Sequence, residues 1–389
     1  MDSIVIHNGE LLPGYARMPR SAILVEDGRI ADVFSERRFE QKHFPAGTKI
    51  HDAGGAYIAP GLIDSHIHGF AGFGTEDLSA DAILAMSEHL GRYGVTAFCP
   101  TIYPMAEGDM IASIEACVSA AGREKGAKVM GVHLEGPFIS PARLGVQRPE
   151  FVRAVDLELM ERLFAAGKGM IRNMTVAPEI KGMRELALYC MKRGIVLQAG
   201  HTDATYDNML EGMQAGILHS THFFNAMSRL HHRDPGAVGA IMIHSELSCE
   251  IIADGKHVHP GLIKLLLRDK PSSKVILVTD SLKPTEQTNC PLFANREEVA
   301  LRDGVFHRVS DDVIAGSALT MMRGLENIVS WGTPIENAVE MAATNPARII
   351  GLGQRGLLVP GWEADIVVFD QSFKVLASMV GGTFVKNEL

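Results

Sequence analysis

Side chains that could ligate a metal ion follow several apolar runs of this 389-residue sequence. They are imidazoles and carboxylates, at His66, His68, Glu135, His201, His222 and Asp280. His66 and His68 are two residues apart, which places both rings on the same face of an extended strand. Such ligands suit Zn²⁺, Fe²⁺, Mn²⁺ or a similar divalent ion. A single buried histidine is usually a hydrogen-bonded core residue, but burying the whole set without a cation would be costly, so we predict a metal site.

The predicted metal site favours hydrolysis. A divalent ion lowers the pKa of a bound water molecule to about 7, which gives a hydroxide nucleophile at neutral pH. Asp280 could take a proton from this water and deliver it to a leaving nitrogen, which are the base and acid steps of amide cleavage. The Asp280 carboxylate could also contact a metal.

The elements that must position these side chains are repeated βα units. Between residues 60 and 353, apolar strand-like runs alternate with segments of helical spacing that end in glycine. The candidate strands are YIAPGLIDSHIH, TAFCPT, VMGVHLEG, MIRNMTVAPE, IVLQAGHT, HSTHFFNA, CEIIADGKH and KVILVTDS. The candidate ligands lie at the carboxyl ends of these runs, where barrel enzymes have their active sites. This pattern predicts an α/β fold with a (β/α)₈ TIM barrel over residues 60–353.

Both ends of the chain have a different pattern, with short β-like runs separated by glycine-rich turns. We expect residues 1–59 and 354–389 to pair with each other in a small antiparallel β unit. The prediction is therefore a small β-sandwich domain formed by both termini, attached to the barrel.

Composition excludes several classes of protein. The net charge is -9 and no basic stripe occurs, which argues against a nucleic-acid partner. No apolar run is long enough to cross a bilayer, and the N-terminus does not resemble a secretory signal, so we expect a cytoplasmic protein without a membrane partner. The cysteines are odd in number and never form a CxxC pair, which indicates neither a disulfide framework nor a thiolate zinc site. We interpret them as core or incidental thiols, at Cys99, Cys117, Cys190, Cys249 and Cys290.

Longer motifs carry a family resemblance that covers nearly the whole chain. They are PGLIDSHIHG (60–69), HLEGPFISPARLG (133–145), AGHTDAT (199–205), THFFNAMS (221–228), IADGKHVHP (252–260), LVTDS (277–281) and IAGSALTM (314–321). With these motifs the sequence resembles the amidohydrolase superfamily, and more closely its N-acetylglucosamine-6-phosphate deacetylases. HLEGPF, THFFNAM and ADGxHV together are typical of the deacetylase branch.

The resemblance implies an activity and a ligand set. The implied reaction is hydrolysis of N-acetylglucosamine 6-phosphate to glucosamine 6-phosphate and acetate in amino-sugar catabolism. One metal would be held by Glu135, His201 and His222, with Asp280 as the catalytic acid and base. Members that keep the His66 and His68 pair resemble binuclear enzymes in which the glutamate bridges, so a second metal position is expected. The expected ion is Zn²⁺, with Fe²⁺, Mn²⁺ or Co²⁺ as alternatives, and one or two ions per subunit.

The resemblance also implies substrate-binding residues outside the ligand set. They are Val146, Gln147, Asn225, Ala226, Arg233, His257, Ile314, Ala315 and Gly316. Arg233 is similar to a residue that reaches the phosphate of the neighbouring subunit's substrate, which implies a homodimer with shared sites. An arginine fork, a histidine and backbone N–H groups are suitable partners for a phosphate dianion.

Gln147 departs from the pattern of many family members, which have a histidine here that helps to polarise the acetyl carbonyl. A neutral amide donates a hydrogen bond but carries no charge. Either a second metal supplies more of the oxyanion stabilisation, or the preferred sugar is different, with the galactosamine epimer as the nearest candidate.

The alternatives are an N-acetylgalactosamine-6-phosphate deacetylase, a cyclic amidase or deaminase on the same scaffold, and a non-catalytic sugar-phosphate sensor. A cyclic amidase or deaminase should lack THFFNAM and the Arg233 loop. The sensor should lack Asp280 or a metal ligand, and all of these are present.

Overall fold

A computed structural model describes residues 3–288 and 291–389, and every element named here lies within those ranges. The first strands belong to a sheet that the end of the chain completes. They are β1 (Ser3–Leu11), β2 (Met18–Glu26), β3 (Arg29–Ser35), β4 (Lys49–Asp52) and β5 (Tyr57–Pro60). β1 pairs antiparallel with β2 but parallel with β4 and β5. The sheet is therefore mixed, whereas the sequence indicated antiparallel pairing throughout.

The barrel follows the terminal strands. Its region contains β6 (Leu62–Ile67), β7 (Gly69–Phe70), β8 (Phe73–Gly74), β9 (Val95–Ile102), β10 (Lys128–Val129), β11 (Val132–Glu135), β12 (Ile171–Val176), β13 (Val196–Ala199), β14 (His219–Ser220), β15 (Ser248–Ile252) and β16 (Val275–Val278). Strands β6, β9 and β11 to β16 are neighbours in that order, and all of these pairings are parallel. β7 and β8 form a separate hairpin.

Backbone hydrogen bonds join the two edges of this parallel sheet. The Asp280 N–H donates to the His66 carbonyl at 2.9 Å, and the His68 N–H donates to the Ser281 carbonyl at 2.9 Å. The predicted α/β barrel is confirmed, and its closure brings the ends of the first and last strands into direct contact.

Two predicted barrel strands are interrupted. The run YIAPGLIDSHIH divides at Gly61, so that Tyr57–Pro60 pairs in the terminal sheet and the barrel strand begins at Leu62. A Cβ at Gly61 would lie 2.1 Å from the side chain of Thr96, so a residue without a side chain is needed where β6 passes β9. The third predicted strand is divided into β10 and β11 by residues 130–131.

Helices cover the outside of the barrel and the terminal sheet. They are α1 (Glu36–Gln41), α2 (Ala80–Arg92), α3 (Glu107–Ala120), α4 (Leu157–Gly167), α5 (Met183–Met191), α6 (Tyr206–Gln214), α7 (Gly236–Ile243), α8 (Pro260–Asp269), α9 (Met321–Ser330), α10 (Ile335–Val339) and α11 (Asn345–Ile349). Short 3₁₀ turns occupy Thr75–Asp77, Pro149–Phe151 and Ser272–Lys274, and a π-helical turn occupies Glu340–Thr344. Within the described ranges, no helix has the length and apolar character needed to span a membrane.

The main core lies between these helices and the barrel strands. On α2, Ile83, Met86 and Leu90 are buried, at the spacing of an amphipathic helix that packs one face inward. The thiols of Cys99, Cys117, Cys190 and Cys249 are free and buried, which confirms that they are core residues. Cys290 lies outside the described residues.

A four-stranded antiparallel sheet follows the last barrel strand, and the sequence analysis did not predict it. It consists of β17 (Leu292–Ala294), β18 (Glu297–Arg302), β19 (Val305–Arg308) and β20 (Ile314–Ser317). Asp303 and Gly304 both have positive φ values, as in the Asp-Gly turns that join tight hairpins. This dipeptide was the available signal for the sheet, which carries three of the predicted substrate residues on β20.

The C-terminal strands complete the first sheet. They are β21 (Ile366–Phe369), β22 (Val375–Val380) and β23 (Thr383–Asn387). β21 pairs antiparallel with β5, with Ile366 opposite Pro60 and Phe369 opposite Tyr57. The prediction that the two ends of the chain pair is confirmed.

Candidate active site

The ends of the barrel strands bring all six predicted ligands together in two buried groups. One group contains His66, His68 and Asp280, and the other contains Glu135, His201 and His222. In each group the ligand atoms lie within 4.8 Å of one another. These residues come from five different segments of the chain, so only the closed barrel makes them neighbours.

The Glu135 carboxylate lies between the two groups. Its Oε1 is 3.1 Å from the Nε2 atoms of both His201 and His222, and 3.4 Å from Nε2 of His66. Its Oε2 is 3.3 Å from Nε2 of His68. Asp280 faces the first group, with Oδ1 3.5 Å from Nε2 of His66 and 3.4 Å from Nε2 of His68. One carboxylate is thus close to all four imidazoles.

In His68 and His201, the contact of the other ring nitrogen indicates which tautomer the histidine takes. The Nδ1 atoms of His68 and His201 lie 3.1 and 3.0 Å from the carbonyl oxygens of Thr101 and Arg143. A carbonyl can only accept, so each Nδ1 carries the proton and each Nε2 has a free lone pair. Carbonyl partners of this kind fix the tautomer of metal-binding histidines.

Two further observations test whether the site suits a cation. Nε2 of His201 and Nε2 of His222 lie only 3.1 Å apart. Nε2 of His66 is buried and has no hydrogen-bond partner among the residues that the structure describes. A buried carboxylate with four imidazole nitrogens within 3.4 Å of its oxygens fits one or two divalent ions.

The backbone at three of these ligands is strained. His201, His222 and Asp280 have φ values of +46°, +23° and +50°, a region that residues with side chains rarely adopt. Backbone hydrogen bonds hold the three residues in place: Ser140 donates to the His201 carbonyl, Asn225 to that of His222, and Ser317 to that of Asp280. The turn after each strand therefore directs the ligand side chain into the site.

Sequence reasoning missed two buried carboxylates below the ligands. Glu250 on β15 accepts hydrogen bonds from Nδ1 of His66 at 3.0 Å and from Nε2 of Gln198 at 2.6 Å. Asp64 on β6 accepts from the Thr279 hydroxyl at 2.6 Å, and burial raises its pKa to about 7. The available signal was an acidic residue inside each of two otherwise largely apolar barrel strands.

A cleft with a volume of about 290 Å³ opens directly above the ligands. Most of the predicted substrate residues line it, namely Val146, Gln147, Asn225, Ala226, His257, Ile314, Ala315 and Gly316. Tyr103 also lines it, although the sequence analysis did not select this residue, and its ring stacks on His68 at 3.8 Å. Arg233 is the exception, because it is exposed on a loop and does not line the cleft of its own chain.

Gln147 and His257 occupy specific places on the cleft wall. Nε2 of Gln147 donates to Oε2 of Glu135 at 2.5 Å, whereas its carbonyl oxygen is buried without a partner. Nδ1 of His257 donates to Asp254 at 2.6 Å, and His257 lines the cleft. Burial alone would raise the pKa of Asp254, but the hydrogen bond and charge of His257 lower it.

Comparison with known proteins identifies the family of this chain. The model of the amidohydrolase family matches residues 57–385. The N-acetylglucosamine-6-phosphate deacetylase of Bacillus subtilis (strain 168) is 34% identical over 398 residues, which cover 99% of this chain and 96% of the relative. The chain belongs to the N-acetylglucosamine-6-phosphate deacetylase family of the amidohydrolase superfamily.

A second relative and a solved structure extend this family comparison. The N-acetylgalactosamine-6-phosphate deacetylase of Escherichia coli O157:H7 is 30% identical over 342 residues, which cover 87% of this chain and 90% of the relative. A mutant N-acetyl-D-glucosamine-6-phosphate deacetylase from Mycobacterium smegmatis, solved in complex with N-acetyl-D-glucosamine-6-phosphate, superimposes with a TM-score of 0.91. It is 28% identical, and the match covers all of both chains. Membership of the amidohydrolase family implies a divalent metal.

Metal dependence can be measured as a stabilisation. Adding a divalent cation to chelator-treated protein should raise the melting temperature, by an amount that corresponds to about 2.7 kcal/mol at a hundredfold excess over Kd. Glu135→Ala should greatly reduce this shift because Glu135 lies between both groups. Differential scanning fluorimetry checks it, with His232→Ala as the control for loss of an exposed imidazole. An undiminished shift in Glu135→Ala would contradict the assignment.

Proposed function

We propose that the chain hydrolyses the acetamide of N-acetylglucosamine 6-phosphate to glucosamine 6-phosphate and acetate, in amino-sugar catabolism. The observation that carries the proposal is Glu135, placed between two histidine groups at the floor of a cleft, in a chain that matches deacetylases along its whole length. The ligand named for the Mycobacterium smegmatis structure, which has the same fold, also supports this substrate.

The proposed metal ligands are His66, His68 and Asp280 for one ion and Glu135, His201 and His222 for another, with Glu135 between them. Four imidazoles and two carboxylates suit Zn²⁺, which we propose as the ion, with Fe²⁺, Mn²⁺ or Co²⁺ as alternatives. We propose one or two ions per subunit. When bound, a divalent ion supplies Lewis acidity, which makes water a competent nucleophile near neutral pH and polarises a carbonyl group.

Asp280 is the proposed catalytic acid and base. It lines the cleft and its carboxylate lies within 3.5 Å of the first histidine pair, so it can reach both a water molecule and the scissile amide. Asp280 takes a proton from water as the oxygen–carbon bond forms. It then delivers that proton to the nitrogen as the carbon–nitrogen bond breaks, which yields acetate and the free amine.

The remaining cleft residues would bind the sugar phosphate. These residues, which all line the cleft, are Val146, Gln147, Asn225, Ala226, His257, Ile314, Ala315 and Gly316. Among the described residues that line the cleft, none is a lysine or arginine. A phosphate dianion would therefore gain from a cation supplied by another chain, and we propose a homodimer in which Arg233 reaches the substrate of the neighbouring subunit.

The proposal extends to domain organisation and location. Residues 1–59 and 354–389 would form the small β-sandwich domain, and residues 60–353 the hydrolase barrel. The pairing of β5 with β21 and a separate apolar cluster within the terminal sheet support this division. Free thiols in the described core are typical of a reducing compartment and support the cytoplasm.

N-Acetylgalactosamine 6-phosphate is the second candidate substrate. The Escherichia coli relative that is named for this activity and the neutral Gln147 on the cleft wall both favour it. A pocket that differs in a single hydroxyl contact can distinguish such epimers strongly.

A comparison of the two hexosamine 6-phosphates tests the function directly. Acetate release should be catalysed with a higher kcat/KM on the glucosamine than on the galactosamine epimer, when the metal content of the protein is measured in parallel. A preference for the galactosamine epimer would transfer the assignment to the second candidate. Metal-loaded protein that releases no acetate from either sugar would exclude both.

Replacing Asp280 should remove proton transfer while leaving the fold intact. We expect Asp280→Asn to lower kcat by about 10²- to 10⁴-fold, because an amide cannot accept the proton of water. The measurement is acetate release by variants with quantified metal, and the exposed Asp311→Asn is the matched control. If Asp280→Asn kept near-normal turnover with metal bound, the acid and base role would be wrong.

Arg233 should matter only for the phosphate. Arg233→Ala should raise KM for the phosphorylated substrate by about tenfold or more, since it removes a charge-assisted contact, and should leave the slow reaction of unphosphorylated N-acetylglucosamine unchanged. Arg229→Ala, which removes another exposed arginine of the same loop, is the control. Equal losses on both substrates would count against a phosphate role, and sedimentation of a monomer would exclude the shared site.

A further inference from the structure

We propose that Glu250 is a positioning residue that fixes the ring of His66 and thereby decides whether the group of His66, His68 and Asp280 holds its ion. This inference deepens the proposed function and rests on it. Glu250 lies on β15 inside the barrel, one layer below the ligands, and its side chain is fully buried. It does not line the cleft, so it would act through His66 and not on the substrate.

The contact between Glu250 and His66 determines which ring nitrogen can bind metal. Oε2 of Glu250 is 3.0 Å from Nδ1 of His66, and a carboxylate can only accept, so Nδ1 carries the proton. In the neutral ring, Nε2 is then unprotonated and keeps its lone pair. Nε2 lies 3.4 Å from Oε1 of Glu135 and 3.5 Å from Oδ1 of Asp280, and within the described ranges it has no hydrogen-bond partner.

The Glu250 carboxylate is itself firmly held. Its Oε1 accepts from Nε2 of Gln198 at 2.6 Å, and Gln198 in turn accepts from the amide of Asn173 at 2.8 Å. Its Oε2 also accepts from the backbone N–H of His222 at 3.2 Å. Glu250 therefore contacts the ring of a ligand in one group and the backbone of a ligand in the other.

His66 differs from the other ligands in the charge of its partner. Nδ1 of His68 and Nδ1 of His201 donate to neutral backbone carbonyls, whereas Nδ1 of His66 donates to a carboxylate. A carboxylate partner makes a ligating imidazole more basic. Two divalent ions also carry four positive charges, against two negative charges from Glu135 and Asp280. Glu250 supplies a third negative charge without occupying a coordination position.

The replacement Glu250→Gln tests this with little change of shape. The carboxylate accepts at both oxygens, whereas the new amide has one oxygen and no charge. With its oxygen toward Gln198, its NH₂ group donates to Nδ1 of His66 and forces the proton onto Nε2, which blocks ligation. With its oxygen toward His66, its NH₂ group faces the amide of Gln198, and the negative charge beside His66 is lost in either orientation. We expect the affinity for the ion of the His66, His68 and Asp280 group to fall by about 10- to 100-fold. The ion of the other group should stay bound.

The measurement is a calorimetric titration of chelated protein with Zn²⁺, with the ions counted by elemental analysis. Electron paramagnetic resonance of Mn²⁺-loaded protein adds a second readout, in which a spin-coupled pair signal should give way to that of isolated ions. Glu124→Gln is the control, because Glu124 is buried away from the site and accepts from the Val129 N–H. It should bind both ions as the unchanged protein does.

Glu250→Asp keeps the charge but withdraws it from His66, so we expect an intermediate loss of affinity for the same ion. If Glu250→Gln does not fold, Glu250→Asp decides alone. Unchanged binding of both ions, equal weakening of both, or a single ion in the unchanged protein would overturn the inference. Because these titrations contain no sugar, they are independent of the acetate assay, whose failure would instead overturn the proposed function.

Discussion

The structure depends on one electrostatic constraint, the crowding of four imidazole nitrogens around the Glu135 carboxylate. Nε2 atoms of four histidines lie 3.1 to 3.4 Å from its two oxygens, in a site that is almost fully buried. Such an arrangement is costly in a low-dielectric interior unless positive charge is present. The acceptors on the far side of the His66, His68 and His201 rings hold a proton on Nδ1, which leaves Nε2 free for a cation.

The barrel satisfies this constraint because every ligand lies at or just beyond the carboxyl end of a strand. Hydrogen bonds between the ends of the first and last strands place Asp280 beside His66. The sheet formed by β17 to β20 both holds the backbone of Asp280 and lines the cleft. Ser317 donates to the Asp280 carbonyl at 3.0 Å, and the preceding residues of β20 line the cleft.

Buried residues in the inner layer of the barrel position the candidate ligands at its rim. Glu250 and Asp64 are fully buried carboxylates. Glu250 accepts a hydrogen bond from the ring of His66, and Asp64 accepts one from the hydroxyl of Thr279, the residue before Asp280. Ligands that must keep one geometry need partners that restrict them. The described residues that line the cleft include no lysine or arginine.

The sequence by itself determined the alternation of strands and helices, the order of the barrel strands and the six candidate ligands. Those features are local: the HxH spacing sets two rings on one face, and polar residues after apolar runs mark strand ends. The same local signals did not reveal the division at Gly61, because that depends on how closely β6 passes Thr96.

Only the tertiary structure decided which distant side chains meet. Glu250 is 184 residues from His66 along the chain, and Tyr103 stacks on His68 from the end of another strand, so neither contact leaves a periodic signal. The position of Arg233 outside its own cleft is likewise a matter of loop placement. The physical reason is that strand register and barrel closure set which residues share a layer, and these depend on packing along the whole sheet and not on any one segment.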